Sequence, residues 1–190
     1  MPSSYPHLVI ARIPEHIEPM DRGERYEDPL TEELQKVAAG EVTGGGSQLD
    51  ENFFIRFVDI EICLANLDSA ISLATKVLED CGAPKGSKLL FEREGAEQEI
   101  HFGKMEGVTL TLDANLPAED WERYAGEVWQ TIENLLREES LGAIHGSKAT
   151  DEVTEVYLYG PSAENIIKGL DQFRSNFPLC KNSTVRVMNS

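Results

Sequence analysis

The segment Gly40-Glu41-Val42-Thr43-Gly44 returns in the second half of the chain as Gly142-Ala143-Ile144-His145-Gly146. This internal repeat constrains the fold more than any other feature, because a duplicated order of elements calls for a duplicated architecture. Each copy is followed by a strand, a capped helix and a short final strand. Setting the helix caps Asn66 and Ser162 together places Leu64 on Gly160, Ile62 on Leu158, Ile60 on Val156 and Asp59 on Glu155. Inward and outward parity is kept throughout, so the same side of each strand is apolar in both copies.

Hydrophobic period assigns the elements. Leu8 to Ile13 is a short apolar run of strand type, and the polar, proline-punctuated stretch from Pro14 to Asp28 reads as a loop. Asp28-Pro29 supplies a cap and a first-turn proline for a helix through Leu30, Leu34, Val37 and Ala38, stopped by Gly40. Glu41 to Leu49 is a strand interrupted by Gly44-Gly45-Gly46. Val58, Ile60, Ile62 and Leu64 then alternate with Asp59, Glu61 and Cys63, giving a strand with one apolar and one polar face. Asn66 caps a helix whose Leu67, Ala70, Ile71, Ala74, Val77 and Leu78 share one side, and Ser87 to Arg93 closes the first set. Glu94 to Glu97 reads as a tight turn linking Leu89–Arg93 to Glu99–Phe102. In the second half, strands over Gly107–Leu112, Gly142–Ser147, Thr154–Tyr159 and Thr184–Met188 alternate with a helix over Pro117–Glu139 and one capped by Ser162. The longer helix carries an apolar stripe through Trp121, Tyr124, Ala125, Val128, Ile132 and Leu135. Strand-helix-strand-strand-helix-strand, twice over, predicts an α+β chain of two tandem ferredoxin-like units with antiparallel sheets. The expected boundaries are 1–94 for the first unit, 95–106 for a linking hairpin strand and 107–190 for the second.

Charge narrows the partners. The chain carries 34 Asp plus Glu against 17 Lys plus Arg, a formal charge of −17. Such a field repels phosphate backbones and anionic membranes, so neither nucleic acid nor a membrane surface is expected as a partner. A basic protein would be attracted and steered. The first residues, Met1 to Pro6, show no basic or apolar leader pattern, and no run reaches the roughly 18 apolar residues of a membrane span. Cys63, Cys81 and Cys180 match no metal or redox spacing, so no metal or cofactor is implied and a reduced, cytoplasmic setting is expected.

On such sheets the face away from the helices would present Asp59 and Glu61 in the first unit and Glu155, Tyr157 and Tyr159 in the second. Tyrosines beside carboxylates suit recognition of a protein partner. The Gly44, Gly45, Gly46 run lacks the lysine of a phosphate loop and reads as a bulged hairpin that a partner's backbone could approach. His145 takes the place of Thr43 in the second copy. An enzyme using His145 with nearby carboxylates is a third reading, but no recognisable catalytic set accompanies it, and the chain is not expected to be an enzyme.

The run Gly40 to Ser47, with Val58-Asp59-Ile60-Glu61-Ile62 and Gly82-Ala83-Pro84-Lys85-Gly86-Ser87, resembles a set of uncharacterised bacterial proteins over the first half of the chain. In general character, the small acidic α+β chain is similar to immunity proteins of bacterial toxin systems. That resemblance implies binding and occlusion of a cognate toxin, with contacts at Asp59, Glu61, Glu155, Tyr157, Tyr159 and the Gly44–Gly46 loop. The alternative is a small-molecule sensor holding its ligand between the two repeats.

Overall fold

Alternation of apolar and polar side chains decides which strands lie in the middle of each sheet. The computed structural model describes residues 5–113, 118–150 and 152–188. It divides into two compact units between Lys104 and Met105. In the first unit, β1 (His7–Ile13) and β3 (Ile55–Leu64) are central in an antiparallel five-stranded sheet of order β2-β3-β1-β4-β5. The edge strands are β2 (Gly40–Leu49) and β5 (Ala96–Phe102), and β4 (Ser87–Arg93) lies between β1 and β5. Val9, Ala11 and Ile13 of β1 and Val58, Ile60, Ile62 and Leu64 of β3 are wholly buried. They share a core with Leu30 and Leu34 of α2 (Asp28–Lys36) and with Ala70, Ile71, Ala74, Val77 and Leu78 of α3 (Leu67–Asp80). Each large aliphatic buried this way contributes roughly 1.5–3 kcal/mol of transfer free energy.

The second unit repeats the plan with four strands. Its order is β7 (Ala143–Ala149), β8 (Val153–Gly160), β6 (Glu106–Asp113), β9 (Thr184–Val187). Val108, Leu110, Val156 and Leu158 pack with Val128, Ile132 and Leu136 of α4 (Ala118–Glu138) and Ile166 and Leu170 of α5 (Ala163–Arg174). The Trp121 side chain lies outside the described residues. Both units therefore have the ferredoxin-like strand order, in which the first and third strands are central.

Local details bear out the repeat. Asn66 Oδ1 accepts the Asp68 and Ser69 amides at 2.9 and 3.1 Å, and Ser162 Oγ accepts the Asn165 amide at 3.3 Å. A register shift in β2 falls between Val42 and Gly44, and the matching shift in β7 falls between Ile144 and Gly146. Thr43 and His145 are thus the same bulged residue in two copies, pushed out of the ladder where one strand carries an extra residue. The turn at Glu94 and Gly95 has φ of 54° and 79°, as a tight primed hairpin turn requires. It makes β5 the outermost strand of the first sheet rather than a separate linker, and Glu106 already opens β6.

One segment departs from expectation. Pro14 to Asp28 is not all loop: α1 (Pro19–Arg22) and a π-helical turn (Gly23–Glu27) run directly into α2. Ile17 and Tyr26, on either side of α1, are wholly buried, which anchors a stretch too charged to read as helix from composition. Pro29 accounts for the π turn. A proline offers no amide and crowds the carbonyl four residues back, so the turn before it opens to the wider spacing seen in the Asp28 amide bonding to the Gly23 carbonyl.

Candidate functional site

The helices of the first unit pack on one side of its sheet, and cross-strand register arranges the other side in rows. One row runs Asp59, Arg12, Lys88, His101 across β3, β1, β4 and β5. The next runs Glu61, Ile10, Leu90, Glu99. Beyond it, Leu8 stands opposite Cys63, and Glu92 stands opposite Glu97.

The first row neutralises itself. Arg12 donates to both carboxylate oxygens of Asp59, at 2.9 and 2.8 Å, and its guanidinium lies 4.2 Å from the centre of the Phe57 ring. The hydrogen bonds to Asp59 raise the Arg12 pKa further above its already high value. Lys88 reaches Glu99 at 3.1 Å and His101 reaches it at 2.9 Å; these two hydrogen bonds hold the Glu99 carboxyl below its usual pKa. The rows beyond are different. Leu8, Ile10 and Leu90 form an aliphatic floor, and Leu8 is 53% exposed. A groove of about 830 Å³ lies over them, bordered by Pro6, His7, Glu92, Glu97, Gln98 and Glu99. Glu92 and Glu97 are exposed, face each other across the ladder, and have no cationic partner among the described residues. Like charges directly opposite in a sheet are destabilising.

The triglycine run sits at the other edge of the same sheet, and its structural reason is visible. Arg22, only 8% exposed, donates from Nε to Glu27 Oε1 at 2.6 Å and from Nη1 to the Gly46 carbonyl at 3.0 Å. A β-carbon on Gly45 would lie 2.9 Å from Glu27 Oε1, 3.0 Å from Arg22 Nη2 and 2.8 Å from the Asp59 carbonyl. Gly45 therefore seats the ion pair of the π turn against β2. Gly44 would meet only the flexible end of Glu61, and Gly46 meets nothing. Next to this pair, the wholly buried Glu15 carboxylate accepts from Arg25 Nη1 at 2.7 Å and from the Tyr26 hydroxyl at 2.5 Å. This cluster is internally satisfied and functions as a brace for the π turn.

In the second unit, Glu155 accepts from the Tyr157 hydroxyl at 3.0 Å and from Arg186 Nη2 at 3.2 Å. Tyr157 and Tyr159 are 4% and 3% exposed, so these rings are not the open-face anchors that alternation predicts. Tyr159 is enclosed locally: the bulged His145 stacks on it at 4.8 Å, its hydroxyl reaches Met188 Sδ at 3.8 Å, and a β-carbon on Gly107 would stand 3.0 Å from its ring. Of the carboxylates expected at a contact surface, Asp59 and Glu155 already hold arginines, and Glu61 alone is exposed without one among the described residues. Among the described residues, no group of three or more His, Cys, Asp or Glu is placed to hold a metal ion. No helix of the described residues is long and apolar enough to cross a membrane.

The groove residues Leu8, Ile10, Leu90, Glu92 and Glu97 were not foreseen as a site. A signal was present: Leu8-Val9-Ile10-Ala11 is apolar on both faces of one strand, whereas a strand buried on one face alone alternates.

The chain matches no protein-family model and no curated protein. Among solved structures it is similar to the ligand-free regulatory subunit of aspartate kinase from Thermus thermophilus, at 11% identity and a TM-score of 0.28, over 87% of this chain and 91% of that one. It is similar to a candidate monooxygenase from Lactobacillus acidophilus, at 12% identity and a TM-score of 0.30, over 98% and 94%. A candidate glycine cleavage system transcriptional repressor shares 11% identity at a TM-score of 0.31, over 99% and 100%. Likeness at this level carries no functional argument, and the fold stands on the strand orders above.

Proposed function

We propose that this chain is a non-catalytic, ligand-sensing protein whose site is the groove on the open side of the first sheet. One observation carries the reading: an aliphatic floor of Leu8, Ile10 and Leu90 lies under about 830 Å³ of open space on a sheet side whose neighbouring rows are mostly charged. That volume falls within the roughly 300–1,000 Å³ of small-molecule sites, and an apolar floor with a few polar groups at its border is their usual make-up. Free thiols at Cys63, Cys81 and Cys180 accord with a reducing, cytoplasmic setting. The test is a thermal-shift screen with a metabolite panel, since a ligand that prefers the native state raises its apparent stability. A hit should lose its shift in Leu8→Ser plus Leu90→Gln while the ligand-free melting temperature stays near wild type. A panel with no hit, or a hit indifferent to that variant, would remove the groove from consideration.

Occlusion of a toxin by a basic-partner surface is the competing proposal. It requires carboxylates free to meet a basic cleft, and the pairing of Asp59 with Arg12 and of Glu155 with Arg186 weakens that offer. The burial of Tyr157 and Tyr159 weakens the offer of aromatic anchors as well. What supports it is the acidity of the chain together with exposed Glu61 beside the Gly44–Gly46 strand. A stoichiometric basic protein recovered on this chain and lost in Glu61→Lys would restore it.

A further inference from the structure

We propose that the groove takes a cationic amphiphile of small size, a primary amine or guanidinium carried on an aliphatic body. The inference rests on the groove reading above and names the chemistry of its occupant. Elsewhere on this side of the sheet, carboxylates near a cation are matched within the chain: Asp59 has Arg12, and Glu99 has both Lys88 and His101. Glu61, Glu92 and Glu97 break that pattern, and of the three Glu92 and Glu97 stand as a pair. They are register partners on β4 and β5, so their side chains emerge side by side on one face, and both border the groove. Neither has a cationic partner among the described residues. Two opposed anions beside an apolar floor form a site with charge at one border and aliphatic surface under the rest. An ammonium or guanidinium group placed between Glu92 and Glu97 would relieve their repulsion, and a short hydrocarbon body would cover Leu90, Ile10 and Leu8 in turn.

The floor also discriminates among cations. A hydrated metal ion gains nothing from three aliphatic side chains and would remain in water at the border. An anion would meet Glu92, Glu97 and a chain of net charge −17. A neutral hydrocarbon would cover the floor and leave the two carboxylates opposed. Only a molecule with both parts satisfies both halves of the groove.

The experiment compares hexylamine, hexanol and hexanoate as probes of the full chain, by calorimetric titration at low salt. Hexylamine should bind at least tenfold more tightly than hexanol, and hexanoate should not bind. The double variant Glu92→Gln/Glu97→Gln should weaken hexylamine at least tenfold and leave hexanol unchanged. Glu138→Gln, at the exposed end of α4, should change nothing. Hexanol binding as tightly as hexylamine, with both lost in Leu8→Ser plus Leu90→Gln, would overturn the cation inference and leave the groove reading standing. Hexylamine binding that ignores both the glutamate and the leucine variants is general attraction to an acidic surface and overturns the inference. Failure of every probe overturns it as well, and the metabolite screen then decides the groove on its own.

Discussion

At the scale of single residues, the buried groups give the sharpest expectations. Glu15 is a carboxylate with no exposure, held by Arg25 and the Tyr26 hydroxyl. Removing one member of a buried charged set leaves its partner uncompensated, so Glu15→Ala should cost about 3–5 kcal/mol. Tyr26→Phe, which deletes a single hydroxyl, should cost about 1–3 kcal/mol. Urea unfolding of the three proteins checks both, and equal losses would mean that the cluster contributes by packing instead of by charge. Cys180 provides a second case. Burial raises its pKa from 9.0 to about 11. A raised folded value means that the native state holds the proton more firmly than the unfolded chain. The associated stability is complete below pH 9 and is lost as pH climbs from 9 towards 11. Two pKa units correspond to at most about 3 kcal/mol. The difference in urea midpoint between the wild type and Cys180→Ala should therefore narrow or reverse over that interval, and a constant difference would show that the thiol does not titrate as described.

At the scale of elements, β2 and the π turn behave as one device. The Arg22–Glu27 pair reaches β2 only because Gly45 has no β-carbon to stand in its way. Gly45→Ala should therefore destabilise the first unit by roughly 1–3 kcal/mol, in the range of overpacking a close contact. Gly46→Ala, with open space around it, should stay within about 0.5 kcal/mol. Paired thermal melts test the contrast, and equal effects would mean that chain flexibility, not the ion pair, explains the glycines. The same comparison shows where the sequence was readable. Period-two alternation in β3 and β8, the caps Asn66 and Ser162 and the repeated Gly40–Gly44 and Gly142–Gly146 segments are local signals, each decided within a few residues, and they led to the correct strand orders; the matched bulge at Thr43 and His145 came from the structure alone. The coil from Pro19 to Glu27 was not readable because its anchors are tertiary: Tyr26 and Ile17 must find the core before it forms, and Pro29 then sets only the wider spacing of its last turn. The site was half-readable for a related reason. Parity correctly puts Asp59 and Glu61 on the open face, but parity cannot show that Arg12 neutralises one and leaves the other. Nor can it show that Tyr159 is enclosed by His145 and Met188.

At the scale of the whole molecule, a charge of −17 acts on every state of the chain. In the folded state the surplus carboxylates are held closer together than in the unfolded chain, and their mutual repulsion opposes folding. Salt shortens the reach of that repulsion, from about 30 Å at 0.01 M to about 10 Å at 0.1 M. It also weakens the attractive pairs, but Arg12–Asp59 and Arg22–Glu27 are short and partly shielded from solvent, so they lose less than the long-range repulsion does. The balance predicts stabilisation: raising sodium chloride from 10 to 150 mM should lift the melting temperature by about 2–4 °C, the equivalent of roughly 1 kcal/mol for a chain of this size. The opposing local effect belongs to the groove, where hexylamine should bind more weakly over the same salt interval because Glu92 and Glu97 attract it less. A melting temperature that rises while amine affinity falls separates the two electrostatic roles, global repulsion and local attraction, within one set of buffers. A melting temperature that falls with salt would mean that short ion pairs, and not surplus charge, dominate the stability of this acidic chain.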